Sequence, residues 1–429
     1  MKLIFEKTDN DNFENFVDCK DVNTSGIRRF GRSALLNATH LYYVYNNKPV
    51  EIRYFKATDE VKDYIISSGV NHSPDDWTGH DPRVKSFFAH LNEKYLKDLR
   101  DQRALLLLDQ SLEGYQTEYL WKYFHEQCAE WGVHPKCIVY VTGNMIADSE
   151  YFGWAVSNNI SEKDRIKVIP YPHFELDMGK QAQLKNLSAN KLCTFDSHIF
   201  YKEANLEKIK PFACLNKRVR NHRVWFFKYM MEAGLLDKGL ISMNEIDYQP
   251  YHFERMILDN DTIQEMMRHL PMVLYGKRNN VLDDSVYINR FNVDVCHDTY
   301  MSVISEAQCG DMDKTMFLSE KTFKVIANRH PFMIMGNKDS MAKMREIGYE
   351  TFDGFIDEGY DSLPTHERLE YICQSIQKVI DIPDKMEWFK AQEEIIEHNY
   401  ETLIGKLYKL PSAYIELNKY YKKFINKII

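Results

Sequence analysis

The sequence has no pair of cysteines at CxxC spacing; its eight, at positions 19, 128, 137, 193, 214, 296, 309 and 373, stand singly. That argues against the common structural zinc sites and against a disulfide framework. Free thiols suit a reducing compartment. No apolar run approaches the ~18 residues that a spanning helix needs, so no membrane partner is expected. The first residues, Met1 to Lys7, are too few and too charged for a secretory leader, and the expected location is cytoplasmic. GxGxxG and GxxxxGK[ST] are both missing, which weakens dehydrogenase and NTPase readings. Internal repeats and low-complexity tracts are missing too. So is an excess of positive charge: the formal net charge is -8, and a general polyanion-binding surface is not expected, although a local basic patch stays open.

What is present is an ordinary globular composition. The chain has 429 residues, 44% hydrophobic and 28% charged, with 27 Tyr and 24 Phe. That length implies two to three domains with sizeable cores. The first 80 or so residues are weakly patterned, with strand-like alternation at Leu41–Tyr45 and Val50–Phe55 around a turn at Asn46–Pro49. His72–Pro82 reads as a loop. From residue 100 strands and helices alternate. Ala104–Asp109, Cys137–Thr142 and Ile166–Pro170 are buried-strand runs, separated by helices near Thr117–Trp131 and Asp148–Trp154. Lys180–Lys210 is polar and irregular. A second series follows, with strands at Pro211–Asn216, Met272–Tyr275, Tyr300–Ser305 and Phe332–Met335, a helix near His222–Ala233 and a short helix at Asp339–Gly348. From about Asp384 the chain is helical. The expected class is α/β, two Rossmann-like doubly wound domains facing across a cleft, with a helical C-terminal tail. The expected division is 1–190, a linker at 191–210, 211–383 and 384–429.

Three segments carry candidate chemistry. Ser319-Glu320-Lys321, with Lys324 one turn on, opens an apolar helix that breaks at His330-Pro331 before the strand ending at Gly336. A helix N-terminus flanked by lysines suits a diphosphate, and the carboxylate suits a sugar or ribose hydroxyl. Asn216-Lys-Arg218-Val-Arg220-Asn-His222-Arg223 follows a strand and opens a helix. Its cations repel one another unless an anion sits among them, and arginine offers planar bidentate contacts to phosphate. Glu306 ends a strand fourteen positions before Glu320; such a carboxylate bonds a ligand hydroxyl or caps the next turn.

These residues carry a resemblance. Ser-Glu-Lys, a short apolar helix, Pro, and an apolar strand ending in Gly is similar to the donor motif of fucosyltransferase-like glycosyltransferases. It is closer still to glycosyltransferase-like proteins of large tailed phages, which Cys214-Leu-Asn-Lys-Arg-x-Arg-x-His-Arg223 also resembles. The resemblance covers 211–365 best and 104–175 more loosely. It implies a GT-B enzyme that moves a sugar from a UDP- or GDP-linked donor to a hydroxyl, without metal or other cofactor. It places Asn216, Arg218, Arg223, Glu306, Ser319, Glu320, Lys321 and Lys324 at the donor. Asp311-Met-Asp313 has the letters of a metal motif but lies in a loop before the donor motif. Inversion is favoured, because two glutamates eight positions apart do not follow Ser305.

A general base is then expected from the N-terminal half. Asp109, at a strand end, and Glu113, in the next loop, are the catalytic candidates; Asp109 can equally be a loop-stapling aspartate. Gly143-Asn144 is expected to approach the acceptor or shape the cleft, and His173 is an alternative base. The implied acceptors are hydroxymethylated pyrimidines in double-stranded DNA, with Arg28, Arg29 and Arg32 as a local basic patch, or a surface glycan. A non-catalytic sugar- or nucleotide-binding module on the same scaffold is the competing reading.

Overall fold

The computed structural model describes residues 2–5, 63–68, 86–89, 93–114, 118–187, 210–216, 219–244, 258–272, 293–310 and 314–426, together with positions 35, 36, 39, 42, 46, 53, 54 and 91. The chain divides into two units. One comprises Met1–His173, Lys314–Phe317 and Leu407–Ile429; the other comprises Phe174–Asp313 and Leu318–Lys406.

The first unit is built on β1 (Lys2–Phe5), β2 (Arg53–Tyr54), β3 (Tyr64–Ser68), β4 (Ala104–Gln110), β5 (Ile138–Thr142) and β6 (Lys167–Pro170). They form one sheet in the order β2-β1-β3-β4-β5-β6, with every pairing parallel. Helices α1 (Glu93–Arg100), α2 (Glu118–Trp131) and α3 (Ala147–Ser157) flank it. Leu105–Leu108 at the centre of β4 are fully buried on both faces, which is why the strand reads as an unbroken apolar run. Between sheet and helices lies an aromatic cluster: Phe124 packs on Tyr140 with ring centroids 5.0 Å apart, and Trp121 on Tyr151 at 5.2 Å.

Some expectations for the first residues need correction. Tyr42, inside the expected strand Leu41–Tyr45, is helical, and its carbonyl accepts from the Asn46 N–H at 3.1 Å. Arg53–Tyr54 is a strand, but it pairs in parallel with β1 rather than closing a local hairpin. Neither β1 nor β3 was legible. Both are short, and each draws its stability from neighbours remote in sequence. His72–Pro82 lies outside the described residues.

The second unit contains α4 (His173–Leu187, from its second residue), β7 (Lys210–Leu215), α5 (Asn221–Glu232), β8 (Leu240–Ser242), α6 (Asn260–His269), α7 (Val293–Asp298), β9 (Thr299–Ser305), α8 (Glu320–Ala327), β10 (Phe332–Met335), α9 (Ser340–Glu346), α10 (Thr365–Ile380), α11 (Lys385–Lys390) and α12 (Glu393–Gly405). Its sheet is also parallel, in the order β10-β9-β7-β8. β9 is buried at all seven positions. Tyr349 Oη donates to the buried Glu175 Oε1 at 2.9 Å, and Lys406 Nζ lies 3.1 Å from the same oxygen. This pair binds α4 into the unit. Of the expected strand Met272–Tyr275 only Met272 is described; it forms an antiparallel bridge with Met243. β8 was not anticipated. A last helix, α13 (Ser412–Asn426), belongs to the first unit, where it packs on β6. Tyr420 Oη donates to the Lys136 carbonyl at 2.6 Å, and Lys167 pairs with Glu416 at 3.2 Å. The class expected from the sequence is observed: α/β, two Rossmann-like parallel units and a helical C-terminal region.

The sheet of the first unit ends in a cradle for Lys314–Phe317. Asn144 is fully buried. Its Nδ2 donates to the Lys314 carbonyl at 2.9 Å, and its Oδ1 accepts from the Met316 N–H at 2.9 Å. The Met145 N–H donates to the Met316 carbonyl at 2.8 Å. Phe317 fills the space left by two glycines: a Cβ on Gly114 would stand 2.2 Å from its Cγ, and one on Gly143 2.6 Å from its Cε2. Gly114→Ala is therefore expected to cost about 1–3 kcal/mol by overpacking. Urea unfolding of Gly114→Ala, Phe317→Ala and the double variant checks it: the double variant should be more stable than the sum of the single losses predicts.

Candidate functional site

The strand order of the second unit fixes where a ligand belongs. β7 has β8 on one side and β9 on the other, so the chain reverses its winding direction between β7 and β9. A crevice opens outside the carboxyl ends of strands at such a switch point. The residues found there are Asn216 after β7, the N-terminal turn of α5, Glu306 after β9, and the N-terminal turn of α8.

Glu306 organises this edge. It is fully buried, and its carboxylate accepts four hydrogen bonds. Oε1 accepts from the Ser319 N–H at 3.0 Å and Thr322 Oγ1 at 2.6 Å; Oε2 accepts from Ser319 Oγ and from the Ala307 N–H at 3.1 Å. Three of these donors are at the start of α8, so the carboxylate ties the strand end to the helix N-terminus and complements its positive end. Of the two roles a carboxylate could play here, the structure selects capping rather than contact with ligand hydroxyls. The Glu306 carbonyl serves the neighbouring helix: it accepts from Arg223 Nη2 at 3.0 Å and lies 3.2 Å from His222 Nε2.

Arg223 is also committed to the protein. Its Nε donates to Ser305 Oγ at 2.9 Å and its Nη2 to the Ser305 carbonyl at 3.2 Å. Burial, with Arg220 nearby, brings the guanidinium down to about 10, so it stays charged at neutral pH. Arg220 Nη1 donates to the Ala307 carbonyl. Strand-end carbonyls thus take up two of the clustered cations, and the expected direct grip of Arg223 on a diphosphate becomes a positioning role. Lys217 and Arg218 lie outside the described residues.

His222 is buried between these charges. Burial is the largest effect, and Arg223 beside it adds to it; together they push the imidazole down to about 3. The ring is neutral at physiological pH, and with Nε2–H donating to Glu306 its Nδ1 is the acceptor. Lys321 also depresses the His222 pKa, which places the first turns of α5 and α8 within electrostatic reach of each other. On α8, Ser319 is the N-cap and accepts from the Lys321 N–H at 3.3 Å. Lys321 Nζ lies 3.2 Å from Glu320 Oε1. Burial opposes ionisation of Glu320, but Lys321 and Lys324 outweigh it and hold the carboxyl below its usual range. The site therefore presents two helix N-termini, a half-buried lysine and a neutral histidine, an arrangement suited to an anion with two phosphoryl groups.

Two side-chain amide oxygens at the same edge lack a partner, although the Asn216 Nδ2 donates to Cys214 Sγ at 3.3 Å. Asn216 is 2% exposed and Asn337, just past β10, is 5% exposed; the Oδ1 of each is buried with no hydrogen-bond partner. Such atoms cost about 1–3 kcal/mol each unless something donates to them. Asn216 was anticipated. Asn337, Arg220 and His222 were not singled out, although the run Phe332–Met335 ending in Gly-Asn held the signal for Asn337.

The acceptor-side candidates gather in the first unit. Asp109 Oδ1 accepts from the Ser111 N–H at 3.1 Å and Ser111 Oγ at 2.6 Å, and Oδ2 accepts from the Leu35 N–H at 3.1 Å. It staples the loop, which fits the structural reading and not that of a base. The Glu113 side chain is exposed, while its carbonyl accepts from the Gly143 N–H at 3.0 Å. Gly143 and Asn144 hold Lys314–Phe317. His173 opens α4 and packs edge-on against Tyr171. Arg28, Arg29 and Arg32 lie outside the described residues. Among the described residues no three His, Cys, Asp or Glu side chains gather as a metal site would need, and no helix is long and apolar enough to cross a membrane.

No protein-family model matches the sequence, and no curated protein matches it. Among solved structures the chain is similar to an alpha,alpha-trehalose 6-phosphate synthase from Burkholderia multivorans, at 9% identity and a TM-score of 0.43, over 99% of this chain and 95% of that one. It is similar to the N-terminal domain of trehalose-6-phosphate phosphatase from Candida albicans, at 9% identity and 0.44, over 100% and 96%. A third is an alpha,alpha-trehalose-phosphate synthase (UDP-forming) from Burkholderia vietnamiensis, at 10% identity and 0.39, over 94% and 79%.

Two measurements probe the site's internal wiring. Glu306→Gln should cost about 2–4 kcal/mol in urea unfolding, because the amide nitrogen that replaces one carboxylate oxygen cannot accept from two of the four donors around it. His222 makes stability pH-dependent: it is neutral when folded, whereas the unfolded chain takes up a proton below the usual imidazole pKa. Its contribution is complete above that value and is lost as pH falls toward about 3. Between pH 7 and 5 the wild type should lose about 2 kcal/mol more than His222→Gln in paired unfolding curves.

Proposed function

We propose that the chain is a metal-independent glycosyltransferase, taking a sugar from a UDP- or GDP-linked donor bound by the second unit. The observation that carries this reading is the pairing of two helix N-termini, α5 and α8, at the switch point of a parallel sheet. The leaving group of such a reaction is a nucleoside diphosphate whose charge grows as the glycosidic bond breaks. Helix N–H groups and Lys321 would stabilise that charge, worth on the order of 10²–10³ in rate for a well-placed donor. Arg218 and Lys324 are proposed as further phosphate contacts. Glu320 is proposed to bond sugar or ribose hydroxyls. Arg223 and Glu306 hold the helices in place, and the free Oδ1 atoms of Asn216 and Asn337 are proposed to accept from the donor.

The lack of a second glutamate eight positions after Glu306 favours inversion, in which a base removes the proton of the acceptor hydroxyl as it attacks. We assign that base to Glu113, since the Asp109 carboxylate is taken up by Ser111 and Leu35. On the resemblance to the phage-type proteins the acceptor is the hydroxymethyl group of a modified pyrimidine in double-stranded DNA, contacted through Arg28 and Arg29; such an enzyme extrudes the target base. A surface glycan is the alternative, and a host cytoplasm the implied compartment for a phage-encoded enzyme.

A thermal-shift panel of nucleoside diphosphates tests the donor site. UDP or GDP at a hundred times its dissociation constant should add about 2.7 kcal/mol of stability, and Lys321→Ala should remove most of it. With the matching sugar nucleotide, Lys321→Ala should cut turnover about a hundredfold or more. Wild-type binding without turnover on either hydroxymethylated duplex or glycan would favour the non-catalytic module. No response to any nucleotide would end the donor reading.

A further inference from the structure

On the first unit, α2 and α3 line a groove of about 520 Å³, within the ~300–1,000 Å³ usual for small-ligand sites. Its walls are aromatic and its fringe polar. Tyr119, in the first turn of α2, is 73% exposed. Trp154 of α3 is held from behind, its ring 5.4 Å from that of His125 and 6.1 Å from that of Tyr151. One aromatic surface is thus fixed and another stands free in solvent. Lys122, Glu150 and Asn158 add groups that donate and accept hydrogen bonds.

Gly153 is the second, independent observation. It lies inside α3 and lines the groove. Glycine inside a helix is unfavourable relative to alanine. The usual structural excuses are missing: a Cβ there would meet nothing within 4 Å, and its φ is not positive. What the glycine does is leave open space along the groove lining, next in sequence to Trp154.

We propose that this groove binds carbohydrate, taking a neutral oligosaccharide. A sugar ring lays its C–H face on an aromatic side chain and turns its hydroxyls outward, where Lys122, Glu150 and Asn158 can meet them. Tyrosine and tryptophan supply such a surface at little entropic cost, since each has only two side-chain torsions. A nucleic acid also stacks on aromatics, but it needs cations along its phosphates. Here Lys122 and Lys314 share the lining with the Glu150 carboxylate. The assignment stands apart from the donor reading, because the groove lies wholly in the first unit and would hold a glycan whether or not the chain transfers one.

The test uses the full chain on an array of immobilised neutral and acidic glycans, with the strongest ligand titrated by calorimetry. Tyr119→Ala should weaken binding about tenfold. Gly153→Leu should raise the melting temperature, by improving the helix, and abolish binding by filling that space. Stabilisation by UDP or GDP, if present in the wild type, should be unchanged in both variants, so this site and the donor site fail or stand separately. The proposal is overturned if no glycan binds, if either variant binds as the wild type does, or if a mixed-sequence single-stranded oligonucleotide competes for the groove in a Tyr119-dependent manner.

Discussion

The second unit depends on one carboxylate. Glu306 emerges from a fully buried strand and satisfies four donors, three of them at the start of α8, while its backbone carbonyl takes hydrogen bonds from α5. Desolvating a carboxylate is costly, and only a complete set of donors offsets it. The same set decides the geometry of everything around it. With both helices tied to the end of one central strand, their exposed N–H groups are held in place before any ligand arrives. Binding then requires little ordering of the protein, which is where much of the cost of recognition usually lies.

Much of this was legible in the sequence. Unbroken apolar runs such as Leu105–Leu108 and Met301–Ile304 mark strands covered on both faces, and polar steps after such strands mark the edge where ligands bind. Asn216 is located in that way, whereas Ser319, Glu320 and Lys321 read as the start of an apolar helix, which the structure places at Glu320–Ala327. What the sequence did not disclose was how each polar side chain is used. A glutamate at a strand end looks the same whether it faces a ligand or caps a helix thirteen residues ahead. Arg223 looks like a phosphate ligand until the carbonyls of Ser305 and Glu306 are found beside it. The short strands β1, β3 and β8 escaped notice because their partners, and not their own composition, stabilise them.

The first unit shows the same ambiguity at Asp109 and Asn144. Both end strands at the edge where chemistry is expected, and both spend their polar atoms on the protein: Asp109 on its own loop and Leu35, Asn144 on a segment 170 residues further along the chain. No local pattern announces a partner so remote. Gly143 reads as a strand terminus, and only its neighbours in space, Phe317 and the Ser111 and Glu113 carbonyls, show why nothing larger fits. The α2–α3 groove is the converse case. Tyr119 looks like an ordinary helix position in sequence, and only the fold shows it standing open to solvent beside Trp154.

The first unit draws on three separate stretches, and the last of them, from Leu407, includes α13 packed on β6. A ribosome delivers these stretches in order. The strands up to β6 leave the exit tunnel hundreds of residues before the helix that covers one edge of their sheet, and well before Phe317 arrives to fill its glycine cradle. During that interval the sheet is flanked by α1, α2 and α3, while the surfaces that α13 and Phe317 later cover stay open, which is where a nascent chain is most prone to mispairing.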